Sequence, residues 1–562
     1  VSVDGRRALP HLGVALVVVV AGWLALDPLF PQDPAGADAP LDQFSAARSL
    51  ERLPLIASEP RPAESAANTA AAAYLRGELE ALGLHVEATT TRAHSVDPYG
   101  IPVSATITNL AAEIEGTEPT GTVLLVAHYD SVPQGPGASD NGVNVVGVIE
   151  IARALLAGPQ PTATVRILLT DGEEDFMLGA REHARAVPAE EIPHSVVVNV
   201  DSRGVTGPVV MFQVVGDQGA LVDAAGRSGL HASSLTAAVY SRMPNYTDLT
   251  PFAEAGFRGL DTAFIGGSAY YHTADDSLAN VDPAVAQQIG QATLAMTRAL
   301  ADSDLRVTGS PTVTYFRLPG ALVQYPMPLA LPLAGLSVVA LALVLGLHRR
   351  HLPPRQVAAA TGTAGLPILV AVVVGVTGWV AVSAVRPDLG SVWSGDPPGS
   401  TWFAWGEGLV LLAAVVAWYG QTRDRWSPSV AASAGLVWAA LLTILLAVAL
   451  PGGAYLFTWP TLLGAAGLAA AVRTGPHSSW AAPGLASGGF VAVLLVLPWG
   501  LALIPALGLA MSAVALVLIG VVGLLLSPVM CALGPTASRV VVPVALLVAG
   551  LGVFGTGLAI AG

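Results

Sequence analysis

The 562-residue sequence predicts an α/β domain in three layers, α/β/α, with a mostly parallel central sheet, followed by an all-α multi-span transmembrane domain. Three observations carry that prediction. β-rich runs alternate with helix-period stretches between residues 48 and 305, the chain turns almost continuously apolar after 325, and the charged residues concentrate in the first region. Strands alternating with helices imply a sheet covered by helices. Apolar runs of about 20 residues are long enough to cross a bilayer.

Composition narrows the choice. With 53% hydrophobic and 12% charged residues, the chain exceeds one domain and is too apolar to be wholly water-soluble. A net charge of −14 excludes nucleic acid as a partner, because neutralising phosphates takes a basic surface. All 26 basic residues are Arg; with the abundant Ala, Val, Gly and Pro, this points to a GC-rich bacterial genome, and the opening Val fits a GTG start. The single Cys531 lies among apolar residues and leaves no intramolecular disulfide.

Taken in order, residues 8–30, "ALPHLGVALVVVVAGWLALDPLF", follow Arg6 and Arg7 and read as an N-terminal transmembrane anchor (1–30). No small-residue cleavage site follows the apolar core, so the anchor is expected to stay attached. Residues 31–47, rich in Pro, Ala and Asp, read as a linker. In the 48–305 domain an Ala-rich helix at 62–82 ends at Gly83. Strands are expected at "HVEATTT", "ATITNLAAEI", "TVLLVAHY", "TVRILLT", "SVVVNVD", "PVVMFQVV" and "GLDTAFIG", with helices at 141–156, 179–187, 248–255 and 282–302. A second linker, 306–327, leads to a transmembrane domain of about eight helices over 328–562. These are expected near 328–347, 357–384, 403–420, 429–450, 460–473, 484–504, 507–527 and 540–561, nine spans with the anchor. Alternate loops hold Arg349, Arg350 and Arg355, then Arg423 and Arg425, then Arg473, then Arg539, whereas the opposite loops hold only Arg386. The positive-inside rule therefore places the 48–305 domain outside the cytoplasm.

In such sheets ligands bind beyond the carboxyl ends of the strands. "VAHYDSVPQGPGASDNG", residues 126–142, ends a strand with His128 and Asp130 and places Asp140 before the next helix. "TVRILLT" runs into Asp171, Glu173 and Glu174; "SVVVNVD" ends in Asp201; "GLDTAFIG" leads to His272 and Asp275 in "SAYYHTADD". A single His-x-Asp or Glu-Glu pair would be turn chemistry. Five ligand-type groups at successive strand ends are not. Zinc takes imidazole nitrogen and carboxylate oxygen, and a catalytic zinc keeps one position for water. Two His and three carboxylates suffice for two zincs with three protein ligands each if one carboxylate bridges.

On "HYDS", "GASDNG", "DGEE", "NVD" and "YYHTADD", in that order, residues 50–305 resemble the co-catalytic di-zinc aminopeptidases of metallopeptidase family 28. Within that family the chain is most similar to the membrane-embedded zinc metallopeptidases of endoplasmic reticulum and vacuole, which also carry a short N-terminal span and a multi-span tail. "TYFRLPGALVQYP" looks like the corresponding junction. The resemblance implies a zinc-peptidase fold and two Zn2+ ions. Asp140 would bridge them, His128 and Asp201 would complete one site, and Glu174 and His272 the other. Glu173 would be the general base, because a metal-bound Glu is held as an anion whereas its free neighbour can take a proton. Asp130 would support the second imidazole nitrogen of His128. One departure concerns pocket shape: many relatives have Gly after the Glu-Glu-Asp step, where this chain has Phe176 and then Met177.

Other polar residues divide between site and packing. Tyr246 could hydrogen-bond an oxyanion, and Tyr270 and Tyr271 could line the cleft. His183 is expected on a solvated helix face, His194 and His231 on the surface, and His348 and His351 as membrane-edge anchors. Glu407, beside Trp402 and Trp405, is expected at the interface rather than as a functional intramembrane acid. The combined expectation is a membrane-anchored, zinc-dependent exopeptidase, an aminopeptidase acting on peptides outside the cytoplasm. It would sit in a bacterial cell membrane or, in a eukaryote, in the endoplasmic reticulum or vacuolar membrane with a luminal domain. A carboxypeptidase or other amide hydrolase on the same centre stays open. So do a non-catalytic receptor or scaffold, a transporter-associated role, and a homo-oligomer.

Overall fold

All seven expected strands form in a computed structural model of the chain, which describes residues 5–392, 394–476 and 478–560. They belong to one eight-stranded sheet: β1 (Val86–Val96), β2 (Pro102–Ile114), β3 (Thr122–His128), β4 (Thr164–Thr170), β5 (Ser195–Ser202), β6 (Thr206–Val215), the two-residue β7 (His231–Ala232) and β8 (Arg258–Gly266). The order is β1-β2-β4-β3-β5-β8-β6-β7. The centre, β4-β3-β5-β8, is parallel. β1, β2 and β6 pair antiparallel on the flanks.

Helices on both faces explain why the central strands read as continuous apolar runs. In β3, Val123, Leu125 and Ala127 enter one core with Val145, Ile149 and Ile289, from the helices Asn144–Ala157 and Pro283–Ala301. Leu124 and Val126 enter the opposite core with Ala180, Ala184, Leu249 and Phe252, from the helices Leu178–Ala186 and Leu249–Glu254. The period of two along the strand thus fills both layers, and each fully buried aliphatic side chain contributes about 1.5–3 kcal/mol.

Boundaries moved for identifiable reasons. The first long helix starts at Ala66, not 62, because the Ser65 hydroxyl accepts the Asn68 N–H at 3.0 Å as an N-cap. It ends before Gly83, whose φ of 85° suits a residue without Cβ. The short helices Ala46–Leu50, Gln218–Arg227 and Ser234–Tyr240 were not expected, being too brief for a clear period. Residues 31–47, read as a linker, are held on the peptidase-like unit. Gln287 Oε1 accepts the N–H groups of Ala35 (3.0 Å) and Ala46 (2.9 Å), and the Arg48 guanidinium meets Glu150 at 2.8 Å while bonding the carbonyls of Ala37 and Ala39.

The chain divides into two units, one of residues 28–316 with 321–324 and one built from the two terminal regions. In the second, eight helices among the described residues are long and apolar enough to cross a membrane: Leu12–Leu29, Met327–Leu347, Pro354–Val385, Ser400–Thr422, Pro428–Ala449, Tyr455–Thr474, Ala481–Leu507 and Ala537–Ile560. The ninth expected span, 507–527, corresponds to the shorter apolar stretch Leu509–Leu525. The span at 460–473 is longer than its apolar core suggested, because the helix continues through Pro460 back to Tyr455. Glycines set the closest approach in this unit. A Cβ on Gly467 would lie 2.3 Å from the Gly484 carbonyl oxygen, and one on Gly488 3.2 Å from Gly464 Cα, so two helices touch backbone to backbone.

Glu407, expected at the interface, is enclosed by protein. It is 1% exposed, with Ser512 beside its carboxylate. One carboxylate oxygen lies against Gly378, where any Cβ would collide with it. The local pattern Trp-x-x-Trp-x-Glu suggested a helix end at the interface; neighbouring helices instead enclose the carboxylate.

Candidate metal centre

The register of the parallel core brings the strand ends level. His128, the last residue of β3, lies opposite Thr170, the last of β4, so the Asp171–Glu174 turn begins beside it. Asp201, on the neighbouring β5, pairs with Ala263 of β8. His272 follows β8, and Asp140 lies just before the Asn144–Ala157 helix, next to a cis peptide bond to Asn141. Asn141 and Asn144 tie that turn to β5 by donating to the carbonyls of Val200 and Asp201, both at 2.9 Å.

The side chains converge as two trios that share Asp140. His128 Nε2 is 3.2 Å from Asp140 Oδ1 and 3.6 Å from Asp201 Oδ1. His272 Nε2 is 3.1 Å from both Asp140 Oδ2 and Glu174 Oε2. In each trio the ligand-type atoms lie within 4.8 Å of one another. Asp140 Oδ2, Glu174 Oε1 and His272 Nε2 are buried yet make no aligned hydrogen bond. Lone pairs gathered this closely, without donors between them, fit a cation. Three nitrogen and oxygen ligands on each side, with a position to spare, fit zinc held as in a catalytic site.

Electrostatics point the same way. Burial pushes Glu174 up to about 7, helped by Asp140 and opposed by His272. Burial also pushes Glu173 well above the carboxylate range; Glu174, Asp201 and Asp248 add to this, and His128 opposes it. Burial works against His272, yet its contacts with Asp140 and Glu174 drive it up to about 10. Asp140 is held below the usual range, against its burial, by the two imidazoles that face it. So much negative charge out of water calls for positive charge in its midst.

Asp130 does more than face His128, whose Nδ1 is 3.5 Å from Asp130 Oδ1. Its two carboxylate oxygens accept the backbone N–H groups of Glu173 and Glu174, both at 3.1 Å. The β3 loop thereby holds the Glu-Glu turn in place. Phe176 and Met177 close that turn with left-handed φ values of 66° and 57°, and Met177 is buried in the core. Residues without glycine's freedom thus keep the turn by packing. Tyr271 stacks on His272, with ring centroids 3.8 Å apart and planes 18° off parallel. Tyr246 lies in the loop before the Leu249–Glu254 helix, is 47% exposed, and is in neither trio.

Other expectations fail on burial. Asp275, singled out from the sequence, is exposed, whereas the adjacent Asp276 is buried. His183 is half-buried rather than fully solvated: its ring stands edge-on to Phe252 at 6.1 Å, and burial lowers its pKa to about 4. His231 is buried in β7, since that position pairs with β6; His194 is exposed as expected. Arg61, which no sequence motif marked, is 0% exposed. Its guanidinium donates to the carbonyls of Tyr129, Pro136 and Gly137 and so grips the loop between His128 and Asp140.

The chain is similar to several known proteins. Residues 109–297 match the model of Peptidase family M28. The chain is similar to a vacuolar membrane protease of Tuber melanosporum, 31% identical over 226 residues, covering 36% of this chain and 22% of that protein. It is also similar to endoplasmic reticulum metallopeptidase 1 of Rattus norvegicus, 29% identical over 261 residues, covering 44% of this chain and 29% of that protein. The matched region thus spans less than a third of either relative. Among solved structures, an aminopeptidase from Aneurinibacillus sp. strain AM-1 superposes with a TM-score of 0.41 at 13% identity, covering 49% of this chain and 99% of that one. A zinc aminopeptidase from Bacillus subtilis superposes at 0.37 and 18% identity, covering 45% and 94%. All five candidate ligand residues, His128, Asp140, Glu174, Asp201 and His272, fall inside the segment that matches Peptidase family M28, so this domain is similar to that family.

Proposed function

We propose that the chain is a membrane-anchored, zinc-dependent exopeptidase, an aminopeptidase that hydrolyses N-terminal peptide bonds on the side of the membrane opposite the cytoplasm. The observation that carries this proposal is the shared carboxylate: Asp140 presents one oxygen to His128 and the other to His272, which suits two ions rather than one. His128 and Asp201 would hold one Zn2+, Glu174 and His272 the other, with Asp140 between them.

Two such ions supply a water of lowered pKa and a polarised scissile carbonyl. The chain's own groups do the rest. Glu173 is the neighbour left outside both trios, so its carboxylate stays free to exchange a proton. It takes a proton from the attacking water and returns it to the leaving amine. Asp130 keeps Glu173 and Glu174 at fixed spacing through their N–H groups. Tyr271 packs the His272 ring. Tyr246, on its exposed loop, would donate to the developing oxyanion.

The test uses the full chain in detergent, loaded with Zn2+, against matched peptides with free and blocked N-termini. An aminopeptidase releases the first residue from free peptides and leaves the blocked ones intact. Release from the carboxyl end would establish the carboxypeptidase alternative. No hydrolysis by protein carrying two zincs per chain would favour a non-catalytic receptor.

A further inference from the structure

Asp276 is 2% exposed and lies four residues after His272, in the same loop. Its side chain meets the backbone that carries Asp140. Asp276 accepts the Ser139 N–H at 2.7 Å on Oδ1 and the Asp140 N–H at 3.0 Å on Oδ2. Its own carbonyl accepts the Ala138 N–H at 3.1 Å. The two loops also meet at Gly135, where a Cβ would lie 2.1 Å from the Thr273 carbonyl oxygen. Three consecutive N–H groups ahead of the shared ligand therefore end on one residue of the His272 loop.

We propose that Asp276 is a positioning residue that locks the Asp140 backbone to the His272 loop and so sets the separation of the two metal ligands. The proposal rests on the metal-centre reading above and deepens it. The His272–Asp140 contact of 3.1 Å joins side chains from loops far apart in sequence. Side-chain rotamers alone cannot hold such a spacing; a carboxylate that grips the backbone beneath the ligand can. Hydrogen bonds to a charged acceptor are stronger than those to a neutral one. Loss of such supporting groups typically costs about 10–100-fold in metal affinity. Because Asp140 belongs to both trios, both ions should feel the loss.

Asp276→Asn tests this directly, since the amide keeps the shape but offers one acceptor oxygen for two N–H groups. Full-length wild-type and variant proteins in detergent are titrated with a chelator after Zn2+ loading, and their Co2+-substituted forms are compared by visible absorption. Asp276→Asn should release metal about 10–100-fold more readily and show altered Co2+ bands, in a variant whose metal-free form still melts cooperatively. Asp275→Asn, at the exposed neighbour, should match the wild type in all three measurements. If Asp276→Asn does not fold, Asp276→Glu carries the same test, keeping the charge but displacing both oxygens by one methylene. An unchanged chelator midpoint with unchanged Co2+ bands in the folded variant overturns the proposal. A wild-type protein that binds no metal overturns the metal-centre reading instead.

Discussion

Replacing Glu173 by Gln separates the two adjacent glutamates by role. Both lie in one turn, and both N–H groups are held by Asp130, so the backbone that positions them is shared. Glu174 contacts His272 at 3.1 Å and belongs to a ligand trio, whereas Glu173 belongs to neither. Gln preserves the volume and leaves the Asp130 contacts intact, since those run through the backbone. What it removes is the ability to take a proton. General acid–base catalysis contributes about 10²–10⁴-fold, equivalent to about 2.7–5.4 kcal/mol of transition-state stabilisation. Glu173→Gln should therefore lose turnover by that factor while KM and zinc content change little. Glu174→Gln should lose zinc first, seen as a lower chelator midpoint, and recover part of its activity when zinc is in excess. The assays are steady-state release of an N-terminal residue and metal analysis of dialysed protein. Near-normal turnover in Glu173→Gln would refute the division of labour, as would zinc loss equal to that of Glu174→Gln.

Three further outcomes are expected. Asp140→Ala should leave the protein without either metal ion, because the residue serves both trios; elemental analysis that still finds two zincs would remove the bridging role. Single-Cys reporters in a Cys531→Ser background should label with an impermeant reagent at residues 31–47 in intact cells, but not beside Arg350, as the Arg distribution requires. The reverse pattern would invert the topology. His183, whose pKa burial lowers from 6.5 to about 4, costs nothing above its unfolded pKa and subtracts stability as pH falls from 6.5 toward 4. At about 1.4 kcal/mol per unit the cost reaches about 3 kcal/mol, so metal-free His183→Leu should lose less melting temperature over that window than the wild type. Parallel pH profiles for the two proteins would contradict the burial argument.

By itself the sequence determined whatever depends on local order. Apolar runs with helices between them dictated a covered parallel sheet, because a strand buried on both faces cannot alternate with polar residues. The two candidate trios could be picked out as well, since His128, Asp140, Glu174, Asp201 and His272 sit where strands end, and chain direction in a parallel sheet brings those ends to one edge. The tertiary structure alone decided which way a side chain turns and what covers it. Asp275 and Asp276 are equivalent as letters; the turn after His272 sends the second inward, onto the Ser139 and Asp140 N–H groups. Arg61 carries no motif, and its role exists only because the loop from Tyr129 to Gly137 folds its carbonyls around the guanidinium. His183, His231 and Glu407 were assigned to water or to the interface from their neighbours in sequence, yet helices and strands distant in sequence bury His231 and Glu407 and half-bury His183. Periodicity and residue type are properties of a short window of chain, whereas burial and hydrogen-bond partnership come from segments that meet only once the sheet order and the helix packing are in place.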